Sequence, residues 1–327
     1  MKNLNLLSII ILMFMAIACG QPQKAGQIEG KISIDGSSTV YPLSEAVAEE
    51  YINENPRVKI TVGESGTGGG FKKFSRGETD INDASRAIKQ SEIDECAANN
   101  ISFSELLVAY DGMAIVVHPN NTWARDITVE ELKKIWEPAA QDVITNWNQI
   151  RSDWPNRPLH LYGAGTASGT FDYFTEAIMG ETKSCRGDYT ASEDDNVLVQ
   201  GVAGDENALG FFGLAYFENN SDKIKLVPVD DLKPENGDGP VLPTLETVRD
   251  KSYSPLSRPL LIYVNNKAAE RKEVQDFVTF YLENVSTLAS EVGYIPLTDS
   301  ELEAEKGKWT EFVQTHQPKE TAGQTQE

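Results

Sequence analysis

The chain has 327 residues, with 50 acidic side chains against 29 lysines and arginines, and a formal net charge of −21 at pH 7. Binding to a nucleic-acid backbone relies on clustered Lys and Arg, so nucleic acid is excluded as a partner, whereas strong acidity suits the solubility of an exported protein. His118, His160 and His316 are scattered and no His/Cys group has metal-ligand spacing, so neither a metal site nor another cofactor is expected.

The opening "MKNLNLLSIIILMFMAIAC" puts Lys2 before an apolar run from Leu6 to Ala18 that is too short to span a bilayer comfortably, which is the layout of an export signal. The run ends on Cys19, and "AIAC" resembles a bacterial lipobox with Ala16 where leucine is usual. That resemblance implies a signal peptide over 1–18, lipidation of Cys19, and anchorage to a bacterial membrane facing the periplasm or cell exterior. The plainer alternative is a buried cysteine opening a helix. Residues 19–30 then read as a polar tether. Removing residues 1–18 takes away Lys2 and no acid, so the charge falls to −22. What remains is long enough for two domains or one large one. After Cys19 only Cys96 and Cys185 remain, and although export permits a disulfide, two cysteines do not prove one.

Short apolar strands then alternate with helical patterns, which predicts α/β architecture. "KISIDG" reads as a strand, and "YPLSEAVAEEY" sets Leu43, Ala46, Val47 and Tyr51 on one helical face, with Pro42 suited to a first turn. "ESGTGGGFKKF" fails as a nucleotide P-loop, because Phe71 separates Gly70 from Lys72 and Phe74 follows the lysines. "MAIVVHP" reads as a buried strand ended by Pro119, and "TVEELKKIWEP" as a helix with a Thr128/Glu131 capping box and an apolar stripe at Leu132, Ile135 and Trp136. "GAGTASGTF" is one residue too long for the dinucleotide fingerprint. "RPLLIYVN" is another strand, and Val274, Phe277, Val278, Tyr281, Leu282 and Val285 trace a long amphipathic helix. From about Gln314 the chain turns polar, which predicts a disordered tail over 314–327.

Three of these stretches share one feature: "DGSSTVYPL", "ESGTGGGFKKF" and "TASGTFDYF" each put hydroxyls and glycines before a helix, starting near residues 38, 68 and 169. A helix start presents free N–H groups to an anion, and in open α/β sheets ligands collect where strands end and helices begin. The three are expected to converge on one small anion; the bland reading is that Ser and Thr only cap helices.

The segments "IDGSSTVYPLSEA", "SGTGGGFKKFSRGETDINDASRAI", "AYDGMAIVVHP", "YGAGTASGTFDYFTEAI" and "ALGFFGLAYF", in this order, resemble the phosphate-binding proteins of bacterial ABC-type phosphate importers, from about Ile32 to Tyr294. The resemblance implies an α/β, two-lobed periplasmic-binding-protein fold of type II-like form, with phosphate in the interdomain cleft. It implies a discontinuous lobe one at 31–118 and 256–313 and a lobe two at 119–255, with crossings near Pro119 and Pro255. A disulfide between Cys96 and Cys185 would then join the two lobes and impede closure, so both thiols are expected free. The partners it implies are inorganic phosphate and the membrane subunits of the permease; the chain itself is expected to be a monomer.

Carried over motif by motif, the resemblance places on phosphate Ser38, Thr39 and the amide of Val40, then Ser65 or Thr67, then Ser168, Gly169 and Thr170. The family pattern has an aspartate where this chain has Arg86, and an arginine a few residues before S-G-T where it has Ala164. The changes look complementary, with Arg86 supplying the charged donor from the first lobe; otherwise Arg86 makes a surface ion pair with Asp80 or Asp83. An enzyme reading would need a nucleophile, but there is no G-x-S-x-G elbow and no histidine with a recognisable relation to Ser38 or Ser168. The other rival is a binding or sensing protein for a different oxyanion, such as sulfate or molybdate.

Overall fold

The computed structural model describes residues 28–166, 168–192, 194–218 and 220–316. The expected signal peptide over 1–18, Cys19 and the end of the chain from residue 317 lie outside the described residues. The first half of the fold alternates strand and helix: β1 (Gly30–Gly36), α1 (Tyr41–Glu54), β2 (Val58–Val62), α2 (Thr67–Phe74), β3 (Ile81–Ala84) and α3 (Gln90–Ala98). A 15-residue strand follows, β4 (Phe103–Val117), and then β5 (Ile127–Thr128) and α4 (Val129–Trp136). After them come β6 (His160–Ala164), α5 (Gly169–Met179), β7 (Thr190–Ser192), α6 (Asp195–Ala203), β8 (Ala208–Gly213), α7 (Leu214–Glu218), β9 (Lys225–Leu226), β10 (Val229–Asp230) and α8 (Leu245–Arg249). The chain closes with β11 (Ser257–Asn265), α9 (Asn266–Ala269), α10 (Lys272–Glu291) and α11 (Asp299–His316).

The main sheet runs β2-β1-β3-β11-β4-β8-β6-β7, with β9 also on β4. β4 changes partner along its length: Phe103 to Gly112 pair with β11, and Met113 to Val117 pair with β8. Each half carries its own core. Ile32, Ile34, Leu43, Val47, Tyr51, Phe277 and Tyr281 pack in the first, and Met113, Ile115, Trp136, Phe174, Phe211 and Phe212 in the second. The change of partner falls at Gly112/Met113, inside β4, and Pro119 follows the strand's end; a strand paired along both stretches serves both cores without a break. β11 begins at Ser257, beside the expected return near Pro255.

Local physics accounts for the elements. Leu43, Val47 and Tyr51 are buried on one face of α1, and the Thr128 hydroxyl accepts from the Glu131 amide at 3.1 Å while the Glu131 carboxylate accepts from the Thr128 amide at 2.9 Å. α11 runs to His316, so residues 314–316 are helical where the polar sequence predicts the start of a tail. The Phe312 and His316 rings lie 4.3 Å apart, and His316 Nε2 lies 3.2 Å from Ser102 Oγ, which holds that last turn. Cys96 and Cys185 are both free, and burial pushes each thiol up to about 11.

α10 buries Val274, Phe277, Val278, Tyr281, Leu282 and Val285 against α1 and the sheet, each burial stabilising by about 1.5–3 kcal/mol. Phe277 stands edge-on to Tyr51 at 5.3 Å and to Tyr281 at 6.0 Å. Phe277→Ala is expected to lower stability by about 3–5 kcal/mol, read as a shift of the denaturant midpoint with an unchanged slope.

Candidate functional site

The first helix start is set by Gly36, whose φ of +146° and position against Asp83 leave no room for a side chain: a Cβ there would sit 2.1 Å from the Asp83 carbonyl oxygen. The chain turns at once, with Ser37 N donating to that carbonyl at 2.9 Å and Tyr41 N to the Ser37 carbonyl at 3.0 Å. Ser38, Thr39 and Val40 form the turn, so α1 opens at Tyr41 rather than near residue 38. The Thr39 carbonyl accepts from the Tyr294 hydroxyl at 2.5 Å.

The second start is organised by Asp35. Its Oδ1 accepts from Ser65 N at 2.9 Å and Ser65 Oγ at 2.7 Å, and its Oδ2 pairs with Lys73. Burial pushes the Asp35 carboxyl up, but Lys73 and Ser65 together outweigh it and hold the group below its ordinary value. Ser65 thus directs its hydroxyl proton inward, to the protein. Thr67 Oγ1 accepts from Ser85 N at 3.2 Å and lies 3.2 Å from Ser85 Oγ.

At the third start the Ser168 hydroxyl accepts from Thr170 N at 3.1 Å, which is helix capping. Gly169 abuts the first start: a Cβ on it would lie 3.2 Å from Thr39 Cα. Across the cleft, the three starts border one cavity of about 990 Å³. Of the expected site residues, Ser38, Thr39, Ser65, Thr67, Arg86 and Gly169 line it, while Val40 is buried and Ser168 and Thr170 stand outside the lining.

Arg86 lines the cavity and is also ion-paired. Its Nη1 and Nη2 grip Glu92 at 2.9 and 2.7 Å, and the guanidinium lies over the Phe71 ring, 5.5 Å from its centroid. The partner is neither Asp80, which pairs with Arg271 at 2.5 Å, nor Asp83, which is fully buried and accepts from Ser44 Oγ at 2.9 Å. Asp80 and Asp83 are taken by other elements, and Glu92 in the first turn of α3 is what comes within reach.

Sequence reasoning missed a second arginine. Arg258 on β11 stands directly opposite Asp111 on β4, both buried, and Arg258 lines the cavity. Its Nε and Nη2 donate to Asp111 Oδ2 at 3.2 and 3.1 Å, Nη2 also donates to Thr39 Oγ1 at 2.6 Å, and the guanidinium lies over the Tyr173 ring, 3.4 Å from its centroid. Burial raises the Asp111 carboxyl, against the pull of Arg258. A signal existed: "AYDGMAIVV" and "SRPLLIYV" each hold one charge in an apolar strand, and a charge in a buried strand has to be paired. Asp172 was missed as well. It lines the cavity, its Oδ1 is shielded from solvent without a hydrogen-bond partner, Lys183 Nζ is 3.9 Å away, and burial raises its carboxyl.

Beneath the first helix start, burial pushes the Asp83 carboxyl from the ordinary 3.8 to about 8, opposed by the Ser44 hydroxyl and reinforced by Asp35. The folded value lies above the unfolded one, so the unfolded chain loses this proton first and the site weakens the fold as pH climbs from about 4 to about 8. Asp83→Asn is therefore expected to gain stability over the wild type through that window and to level off above it. Denaturant melts of both proteins from pH 4 to 9 would show a flat difference if Asp83 ionised freely.

The PBP superfamily domain model matches residues 21–285. Protein SphX of Synechocystis is 48% identical over 289 residues, 88% of this chain and 84% of that protein. The phosphate-binding protein PstS of Staphylococcus saprophyticus is 36% identical over 301 residues, 90% of each chain. Among solved structures, a possible phosphate binding protein from Planctomyces limnophilus superposes with a TM-score of 0.83 at 47% identity, covering 87% of this chain and 99% of that one. The chain belongs to the PBP superfamily, a family of extracytoplasmic substrate-binding proteins of two-lobed α/β fold.

Proposed function

We propose that the chain binds inorganic phosphate in the cleft outside the cytoplasm and delivers it to the membrane subunits of an ABC-type importer, as a binding protein without enzymatic activity. The observation that carries this reading is the meeting of three helix starts on one donor-lined cavity between the two halves of the sheet. The relatives named for phosphate support it. A lipid on Cys19 would keep a monomeric protein near its permease.

Binding requires no bond to be made or broken. Phosphate loses water hydrogen bonds on entry, and the amides near Thr39, Thr67 and Gly169, the Ser38 and Thr39 hydroxyls and the Arg86 guanidinium replace them. Helix starts add partial positive charge that costs no counterion. Glu92 takes two of the five Arg86 N–H groups and the Ala87 carbonyl a third, which leaves two for an anion. A five-atom oxyanion fills only a few water volumes of about 30 Å³ each, so a cavity of about 990 Å³ has to narrow around it. The crossings in β4 and before β11 are where two halves would hinge.

Asp172 favours phosphate over the rival oxyanions. Its carboxylate lines the cavity and can accept a hydrogen bond from an anion that still carries a proton, which sulfate does not. Isothermal titration is expected to give a strong phosphate signal and little with sulfate or molybdate, and Asp172→Asn is expected to narrow that gap; equal wild-type affinity for all three would overturn the phosphate reading. Arg86→Ala removes a charged donor whose bonds contribute about 1.5–3 kcal/mol each, so phosphate affinity is expected to fall roughly tenfold to several hundredfold at 1.4 kcal/mol per decade. Wild-type affinity in that variant would take Arg86 out of the site.

A further inference from the structure

We propose that Arg258, held from behind by Asp111, is the cation at the base of the cleft that contacts the bound oxyanion and turns the Thr39 hydroxyl toward it. The inference rests on the oxyanion reading of the cleft, though not on which oxyanion fills it.

A guanidinium carries five N–H groups: one on Nε and two on each Nη. Nε is spent on Asp111, and the two hydrogens of Nη2 go to Asp111 and Thr39. Among the described residues this leaves both hydrogens of Nη1 for the cavity that Arg258 lines. The side chain is 9% exposed and lines the cavity.

The bond to Thr39 has a direction. Arg258 is always a donor, so Thr39 Oγ1 is the acceptor at 2.6 Å, and the hydroxyl's own proton has to point elsewhere. Thr39 lines the cavity, which offers that proton an acceptor when an anion is bound. One arginine thereby supplies its own Nη1 donors and orients a neighbouring hydroxyl as another. Ser257, next in the chain, also lines the cavity, and its Oγ has no hydrogen-bond partner.

The guanidinium also has no freedom to leave. Asp111 is its direct cross-strand neighbour, Tyr173 of α5 covers its face, and the Tyr173 hydroxyl donates to the Pro255 carbonyl at 2.7 Å. Asp111 and Arg258 sit beside the point where β4 changes partner, so the cation touches elements of both halves. A donor fixed before the ligand arrives loses little entropy on binding.

The test pairs titration with a crystal structure. Wild-type protein is titrated with phosphate, sulfate and molybdate, and the anion bound most tightly is used throughout. Its complex is expected to place an oxygen within about 3.2 Å of Arg258 Nη1. Arg258→Lys is expected to lose tenfold or more in affinity, because an ammonium cannot reach Thr39 and the anion together. Arg258→Ala would strand a buried carboxylate, so the second variant removes both charges: Arg258→Met with Asp111→Leu replaces the pair by apolar side chains, an exchange buried pairs tolerate. That double variant is expected to melt near the wild type and bind about a hundredfold more weakly. Binding within threefold of wild type in the folded double variant, or an anion in the cleft with no oxygen near Nη1, overturns the inference while leaving the phosphate reading intact. A wild type that prefers sulfate or molybdate overturns the phosphate reading alone, and one that takes up none of the three overturns both.

Discussion

The buried ion pair between Asp111 and Arg258 is the constraint on which the cleft's geometry depends. Two charges taken out of water are tolerable only when each satisfies the other in good geometry, and here the ladder of β4 against β11 puts them face to face. That register fixes the position of Thr39 through the bond from Arg258 and of Tyr173 through ring contact. Thr39 in turn belongs to the turn that opens α1, and Gly169 lies against it. A slip of β11 by one residue against β4 would turn Arg258 to the face of the sheet opposite Asp111 and leave the helix starts without a common reference.

Around that pair the donors are sorted by where their protons can go. Ser65 gives its hydroxyl proton to Asp35 and so serves as scaffold, although it borders the cavity. Ser168 caps α5. Thr39 receives a bond from Arg258 and can therefore give one outward. Residues of the same chemical type thus differ in role because of the partner behind each of them, and a count of hydroxyls near the cavity would overstate its donors.

What could be read in the sequence was whatever is written locally. The buried face of α1 and the capping box of α4 follow from spacings of three and four residues, and the three helix starts from hydroxyls and glycines just ahead of apolar runs. The Asp111–Arg258 pair joins positions 147 residues apart, and only the strand register brings them together. A crossing near Pro119 is what the family resemblance implies, whereas the change of ladder partner at Gly112/Met113 leaves no mark in composition. Arg86 shows the intermediate case: it lines the cavity, but its partner is Glu92, six residues along, rather than Asp80 or Asp83.

The acidic surface acts on a different quantity from the cleft. A dianion approaching a body of formal charge −21 meets repulsion before it meets any donor, and that repulsion reaches only about 8–10 Å at physiological ionic strength. Added salt shortens that reach and quickens arrival, while departure is governed by contacts already out of water. The protein's charge therefore sets how fast the cleft fills in a given medium, and the buried donors set how long it stays full.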